Sequence, residues 1–113
     1  MSANSKQFAD FIFEKLESLE GFSHGRLFGG IGLKAGAVQF GMIMDNAVYF
    51  VVDAKTRKKY QEAGSACFAY DTRKRRVFIQ KYYEVPPSVI EHSGEFLQWA
   101  NEAIQAAKHL KKA

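Results

Sequence analysis

Residues 26–53, RLFGGIGLKAGAVQFGMIMDNAVYFVVD, decide the fold of this chain. After a glycine-rich entry, residues 31–33 form a first short strand that ends at the turn signal of residues 34–36, Lys-Ala-Gly. A second strand follows, in which apolar side chains recur at every other position, the pattern of a strand with one buried face. The side chains expected on that face are Val38, Phe40, Met42 and Met44.

A tight turn and a third strand complete this meander. Asp45 and Asn46 form the turn, because both residue types tolerate the positive φ that a two-residue hairpin turn demands. Residues 47–52, AVYFVV, are mostly β-branched or aromatic and predict the central strand of an antiparallel sheet. The covered face is expected to carry Val48, Phe50 and Val52, or their alternates Tyr49 and Val51.

The segment before the meander predicts a helix that packs on the sheet. Residues 5–20 carry apolar side chains at steps of four, four and three, which line one helical face. Asn4 or Ser5 is expected to cap this helix, and Gly21 supplies a left-handed stop. Residues 22–25 are expected to connect the helix to the first strand.

The segment after the meander predicts a second, basic helix. Asp53 is placed to cap a helix over residues 54–63, and Gly64 ends it. Tyr60 and Ala63 are the expected inward-facing anchors, because the other positions are mostly charged or polar.

A second hairpin and a last helix complete the chain. Residues 67–70 and 76–83 read as strands because they are rich in aromatic and β-branched side chains. One helical turn capped by Ser88 then precedes a last helix from Ser93 to about Leu110. The fold class is therefore predicted to be α+β, an antiparallel sheet of about five strands with helices packed on it, in the order α-β-β-β-α-β-β-α.

Length and composition indicate a single packed domain. The chain has 113 residues, of which 47% are hydrophobic and 14% aromatic. No apolar run approaches the roughly 20 residues that span a membrane, and the N-terminus is polar where a signal peptide would be apolar. The single cysteine, Cys67, fits a reducing compartment. These features predict a cytoplasmic protein.

Positive charge is concentrated between the second helix and the second hairpin. Residues 55–81 hold nine Lys and Arg against two acidic residues, so this segment carries +7 while the whole chain carries +4. A concentration of this kind attracts polyanions, although the solvated face of a helix and a hairpin turn has the same composition. The candidate nucleic-acid or partner-binding residues are Arg57, Lys58, Lys59, Arg73, Lys74, Arg75 and Arg76.

Residue chemistry gives no support for an enzyme. The three histidines are far apart and Cys67 stands alone, so no metal-ligand spacing exists, and no nucleophile motif is present. The Phe28-Gly29-Gly30 step lacks the Lys-Ser/Thr of a phosphate-binding loop and precedes a strand. Gly29 and Gly30 are therefore expected to serve the backbone, and no cofactor or metal is predicted.

Four segments resemble, in order and spacing, the N-terminal domain of the TfoX/Sxy family of competence regulators. They are RLFGGIGL (26–33), FGMIMDNAVYFVVD (40–53), AGSACFAY (63–70) and KYYEVPPSVIEHSGEFLQWANEAI (81–104). The most specific points of this resemblance are Phe28, Gly29, Gly30, Asp45, Tyr49, Tyr83 and Pro86. The resemblance extends from about residue 24 to residue 105.

This resemblance implies a bacterial cytoplasmic protein that regulates DNA-uptake genes and has no known catalytic residues. Members of the family are positive regulators that act with the cyclic-AMP receptor protein at promoters. Full-length members also carry a helical C-terminal domain, and none follows in this sequence. Residues 1–113 are therefore expected to be a single N-terminal-type domain, either excised or a stand-alone relative.

Two functions remain open at this point. The first is a regulatory module that contacts a transcription factor and adds a weak, sequence-independent contact to DNA. The second is a stand-alone domain that binds a small ligand or peptide between sheet and helices. A homodimer is also predicted, because residues 76–83, RVFIQKYY, are apolar on both strand faces.

Overall fold

The computed structural model describes residues 5–112, and the side chains of residues 5–111. Within that range the strands are β1 (Phe22–Leu27), β2 (Gly30–Ala35), β3 (Val38–Met44), β4 (Ala47–Val51), β5 (Cys67–Asp71) and β6 (Arg76–Glu84). The helices are α1 (Lys6–Leu16), α2 (Ala54–Glu62), α3 (Pro87–Ile90) and α4 (Ser93–Lys112). The predicted α+β class is confirmed.

The strands form one antiparallel sheet in the order β1-β2-β3-β4-β6-β5. Strand β4 lies in the interior of this sheet, as its composition predicts, because β6 returns to pair with its free side. The Asp45-Asn46 turn between β3 and β4 is also confirmed, with φ of 51° and 58°.

Strand β1 is an element that the sequence pattern misses. The predicted connector at residues 22–25 is the first part of β1, so the sheet has six strands rather than about five. The four central residues of β1 are exposed, and apolar alternation is absent because the strand lies at the sheet edge. Backbone pairing with β2, from Phe22↔Ala35 to Leu27↔Gly30, defines it instead.

Strand β3 departs from the predicted alternation at a bulge. Leu33 pairs with Gly41 and Lys34 pairs with Gln39, so Phe40 is an extra residue in β3. Phe40 consequently joins the helix-covered core, whereas Met42 is buried outside that core cluster. The prediction that Phe40 and Met42 share one face is therefore wrong.

The core lies between one face of the sheet and the helices α1 and α4. Phe50 is at its centre, stacked on Phe96 of α4 with ring centroids 5.4 Å apart and tilted against Phe40 at 5.7 Å. Val48, Phe50 and Val52 are each at most 1% exposed and belong to the core, as the first predicted alternate requires; of the second set, Val51 is also in the core and Tyr49 is not.

The boundaries of α1 differ from the prediction. Asn4 lies outside the described residues, and Ser5 is the cap, with its hydroxyl accepting a hydrogen bond from the Phe8 amide at 3.1 Å. The helix ends at Leu16 rather than residue 20, because tight turns closed by the Leu19 and Phe22 amides replace its last turn.

Two of the predictions for α2 and α3 are confirmed, and two are wrong. Asp53 caps α2 in a reciprocal pair with Thr56, as predicted. Tyr60 is buried, but Ala63 is exposed because it follows the last helical turn. Ser88 does not cap α3; Pro87 opens that helix instead, since proline suits a first helical position without a side-chain cap.

The sheet has two ends with different chemistry. The β1–β2 and β3–β4 turns lie together at one end, which we call the turn end. Strand β6 pairs with β4 only at residues 82–84, so residues 68–79 of the β5–β6 hairpin extend past the end of β4 and pair only with each other. We call these residues the arm. The end of the sheet from which the arm projects, and at which α2 begins, is called the arm end.

Candidate functional site

The tip of the arm is a rigid turn that presents cations. The Thr72 hydroxyl accepts hydrogen bonds from the amides of Lys74 and Arg75, at 3.3 and 3.1 Å, and donates one to the Arg75 carbonyl at 2.9 Å. These bonds fix the turn through one side chain. Arg73, Lys74 and Arg75 are all exposed on it.

Arg76 belongs to the same tip but has a partner. Its Nη1 lies 3.1 Å from Oδ1 of Asp71, the residue opposite it in the hairpin. Both side chains are exposed, so the pair contributes little to stability, but it offsets one positive charge of the tip. The free cations of the tip are therefore Arg73, Lys74 and Arg75 among the predicted residues.

The cations of α2 are more constrained than the sequence suggests. Lys59 Nζ lies 2.8 Å from Glu102 Oε1 and 4.3 Å from the centroid of the Trp99 ring. Arg57 is half-buried, and its buried Nε has no hydrogen-bond partner among the described residues. Lys58 is exposed. Lys59 therefore connects α2 to α4, which is a structural role.

The arm and the start of α2 lie at the same end of the sheet. Strand β6 is antiparallel to β4, so the arm projects from the end at which β4 stops and α2 begins. The arm and the N-terminus of α2 thus share the arm end, and four of the seven predicted residues, Lys58, Arg73, Lys74 and Arg75, are exposed without an ion pair in the described part of the chain. Exposed cations grouped on a projecting element attract polyanions over long range.

Aromatic side chains accompany these cations on the arm. Tyr70 is 45% exposed and Phe78 is 58% exposed. Phe68 at the base of the arm contacts Tyr49 edge-on, with ring centroids 5.2 Å apart. Burial, with a smaller effect of Glu84, raises the pKa of the Tyr49 hydroxyl, so Tyr49 stays neutral and acts as a packing residue.

A groove between α2 and α4 is the candidate site for the alternative function, the binding of a ligand. Its volume is about 760 Å³, and its polar lining includes Asp53, Thr56, Lys59, Gln98, Asn101 and Glu102. The groove is open, whereas small-molecule sites mostly enclose their ligands. Its Lys59–Glu102 pair is also already formed.

Of the two glycines of the Phe28-Gly29-Gly30 step, Gly30 has the expected backbone role and Gly29 does not. The left-handed residue is Phe28, with φ of 53°, and neither glycine is left-handed. Phe28 is 96% exposed. A Cβ at Gly30 would overlap the Ile43 carbonyl oxygen and the Met44 sulfur, so close approach requires glycine there. The resemblance to the family marks Phe28, but no turn rule predicts its conformation, because those rules assign positive φ to glycine.

The remaining motif residues have structural positions. Tyr83 is 5% exposed, faces Phe50 across the β4–β6 pair and lies 6.1 Å from the Tyr60 ring. Pro86 immediately precedes α3. Both residues fix the path by which β6 leaves the sheet.

Residues 5–112 contain neither a cluster of metal ligands nor a membrane-spanning helix. No three His, Cys, Asp or Glu side chains in this range lie close enough together to hold a metal ion. None of its helices is long and apolar enough to cross a membrane.

Comparison with known proteins identifies a family. The family model described as the TfoX N-terminal domain matches residues 14–107. This range contains the whole sheet, α2, α3 and most of α4. No curated protein matches the chain.

Proposed function

Because the chain belongs to the TfoX N-terminal domain family, we propose that it is a non-enzymatic regulator of the transcription of DNA-uptake genes. It acts by contacting other proteins, and the cyclic-AMP receptor protein is the proposed transcription factor that selects the promoter. The arm adds a sequence-independent contact to the DNA backbone.

The observation that carries the DNA contact is the group of unpaired cations on a projecting, rigid turn. Arg73, Lys74 and Arg75 extend beyond the body of the sheet, where a phosphate backbone can approach them without contacting α1 or α4. Neutralising phosphates releases counterions, so this binding falls steeply as salt rises. Phosphate contacts carry no sequence information, and promoter choice therefore rests with the partner.

The test is a fluorescence anisotropy titration of a labelled duplex at several salt concentrations. We expect weak binding at low salt, with affinity independent of sequence. Changing Arg73, Lys74 and Arg75 to Ala removes three phosphate contacts, so the slope of log affinity against log salt becomes shallower by about 2.7.

A matched control variant separates the effect of the arm on DNA binding from the effect of net charge. The control variant changes Lys34, Lys108 and Lys111 to Ala, three exposed cations outside the arm, and loses the same charge. We expect this variant to keep most of the wild-type slope. Failure of the wild type to bind at low salt, or equal losses in the two variants, contradicts a DNA contact by the arm.

The alternative function is binding of a small ligand or peptide in the α2–α4 groove. Its support is the groove volume of about 760 Å³. A compound that binds the native chain raises its melting temperature in proportion to the logarithm of its concentration. A metabolite that does so, with the effect removed by Asn101→Ala and Gln98→Ala, favours this function over regulation by protein contact.

A further inference from the structure

Phe28 combines backbone strain with nearly complete exposure. Its φ is 53°, a conformation that a bulky L-residue rarely adopts, and its side chain is 96% exposed. Neither property stabilises the isolated chain, because glycine at this position would relieve the strain and remove an apolar surface from water. Strained residues of this kind concentrate at functional and ligand-contacting positions.

An apolar cleft lies at the same end of the sheet. It has a volume of about 190 Å³, and its apolar walls come from Phe8, Phe11, Ala47, Val48, Val85, Pro87 and Ile90. A cavity of about 150 Å³ lined by such residues holds a benzene ring. The cleft therefore has room for one phenyl group, and Phe11 on its wall is itself 47% exposed.

The charges around these two features are complementary. Arg26, two residues before Phe28, is exposed and forms no ion pair among the described residues. The cleft is lined by Glu84 and Glu91, and no cation lines it. A phenyl group with a neighbouring guanidinium thus matches an apolar cleft with neighbouring carboxylates, in shape and in charge.

We propose that the occupant of the cleft is Phe28 of a second copy of this chain. The turn carrying Phe28 and the β3–β4 turn beside the cleft both lie at the turn end. One two-fold axis at that end therefore places each Phe28 in the other copy's cleft and each Arg26 near the other copy's Glu91. Such an isologous contact closes at two copies.

The size of this contact sets its strength. Each buried phenylalanine removes about 150–250 Å² from water, so two of them bury less than the standard interface of about 1,600 Å². The dimer is therefore reversible, with a dissociation constant in the micromolar range. The interface uses the turn end and leaves the arm end free.

The test is the dissociation constant from sedimentation equilibrium of the full chain and its variants. Phe28→Gly removes the ring and keeps the backbone, since glycine adopts positive φ freely. We expect it to weaken the dimer by at least about thirtyfold, the effect of a hot-spot residue. The variant's unfolding midpoint, measured on protein diluted to the monomer, should equal or exceed that of the wild type.

Two further variants make the assignment specific. Phe78→Ala removes another exposed phenylalanine, at the opposite end of the sheet, and should leave the dissociation constant unchanged. Arg26→Glu and Glu91→Arg should each weaken the dimer, and the two changes combined should restore most of it.

Three results would overturn the proposal. They are a wild-type chain that stays monomeric at hundreds of micromolar, a Phe28→Gly variant that dimerises like the wild type, and assemblies that grow beyond two copies as concentration rises. The first would mean that the cleft or Phe28 receives a different protein.

Discussion

At the scale of single residues, the three positions of the Phe28-Gly29-Gly30 step have three different roles. Phe28 takes the left-handed backbone, Gly29 has open space around it, and Gly30 lies against β3. Glycine is required for steric reasons only at the third position. The resemblance to the family extends over all three, but the physical constraint differs at each.

The first prediction tests this distinction. Gly30→Ala would push a methyl group into the Ile43 carbonyl oxygen and the Met44 side chain, so we expect it to lower the free energy of unfolding by about 1–3 kcal/mol. Gly29→Ala is the matched control and should change it by less than about 0.5 kcal/mol. Urea denaturation of both variants measures the difference, and equal effects would refute the close-packing explanation.

The exposed phenylalanine is marked by the resemblance to the family, but its backbone conformation is not predictable from the sequence. Propensity rules place positive φ on glycine, and Asp45 and Asn46 were predictable as a turn because their side chains tolerate it. Phe28 violates the same rule, so the rule cannot identify it. Local conflict between propensity and structure is typical of functional sites, and only coordinates reveal it.

At the scale of elements, the N-terminus of α2 depends on one carboxylate. Asp53 Oδ1 accepts hydrogen bonds from the amides of Lys55 and Thr56 at 3.0 and 2.9 Å, and the Thr56 hydroxyl accepts one from the Asp53 amide at 3.0 Å. The bond from the Thr56 amide holds the pKa of the Asp53 carboxyl below its ordinary value. The cap therefore stabilises the ionised form.

The second prediction follows from that cap. Asp53→Ala should lower the free energy of unfolding by about 1 kcal/mol at neutral pH. Because the folded pKa is depressed, the ionic part of this stabilisation is complete above the ordinary value of about 4 and is lost as pH falls through the lower folded pKa. The difference between wild type and variant should therefore shrink in acid. A difference that stays constant from neutral pH to pH 2 would contradict the ionic cap.

Elements with strong local signals were predictable, and elements defined by pairing were not. Strand β4, the Asp45-Asn46 turn and the Asp53 cap follow from residue type and spacing. Strand β1 lacks alternation because edge strands need not bury a face, and the β3 bulge depends on the register of β2. Register and edge position are properties of the whole sheet.

At the scale of the whole molecule, the sheet separates two kinds of surface. The cationic arm with Tyr70 and Phe78 lies at the arm end, and Arg26, the strained Phe28 and the apolar cleft lie at the turn end. The core of helices on one sheet face holds the two ends at a fixed separation. A dimer formed at the turn end therefore leaves both arms free.

The sequence predicted the basic segment but not which of its cations are free. Spacing placed Arg57, Lys58 and Lys59 on one short helix, but only the packing of α2 on α4 shows that Lys59 is paired and Arg57 half-buried. The exposure of a helical side chain depends on the element packed against it. The partner of Lys59, Glu102, is 43 residues away from it in the sequence.

The central claim, regulation through contact with a promoter-bound factor, is tested most directly by one affinity. It is the affinity of the cyclic-AMP receptor protein for a labelled DNA-uptake promoter, in saturating cyclic AMP, with and without this chain. We expect the chain to tighten receptor binding by about 5–150-fold, the usual range of coupling between two ligands. Loss of Arg73, Lys74 and Arg75 should reduce that gain. A receptor affinity that is unchanged at saturating chain would contradict the proposed function.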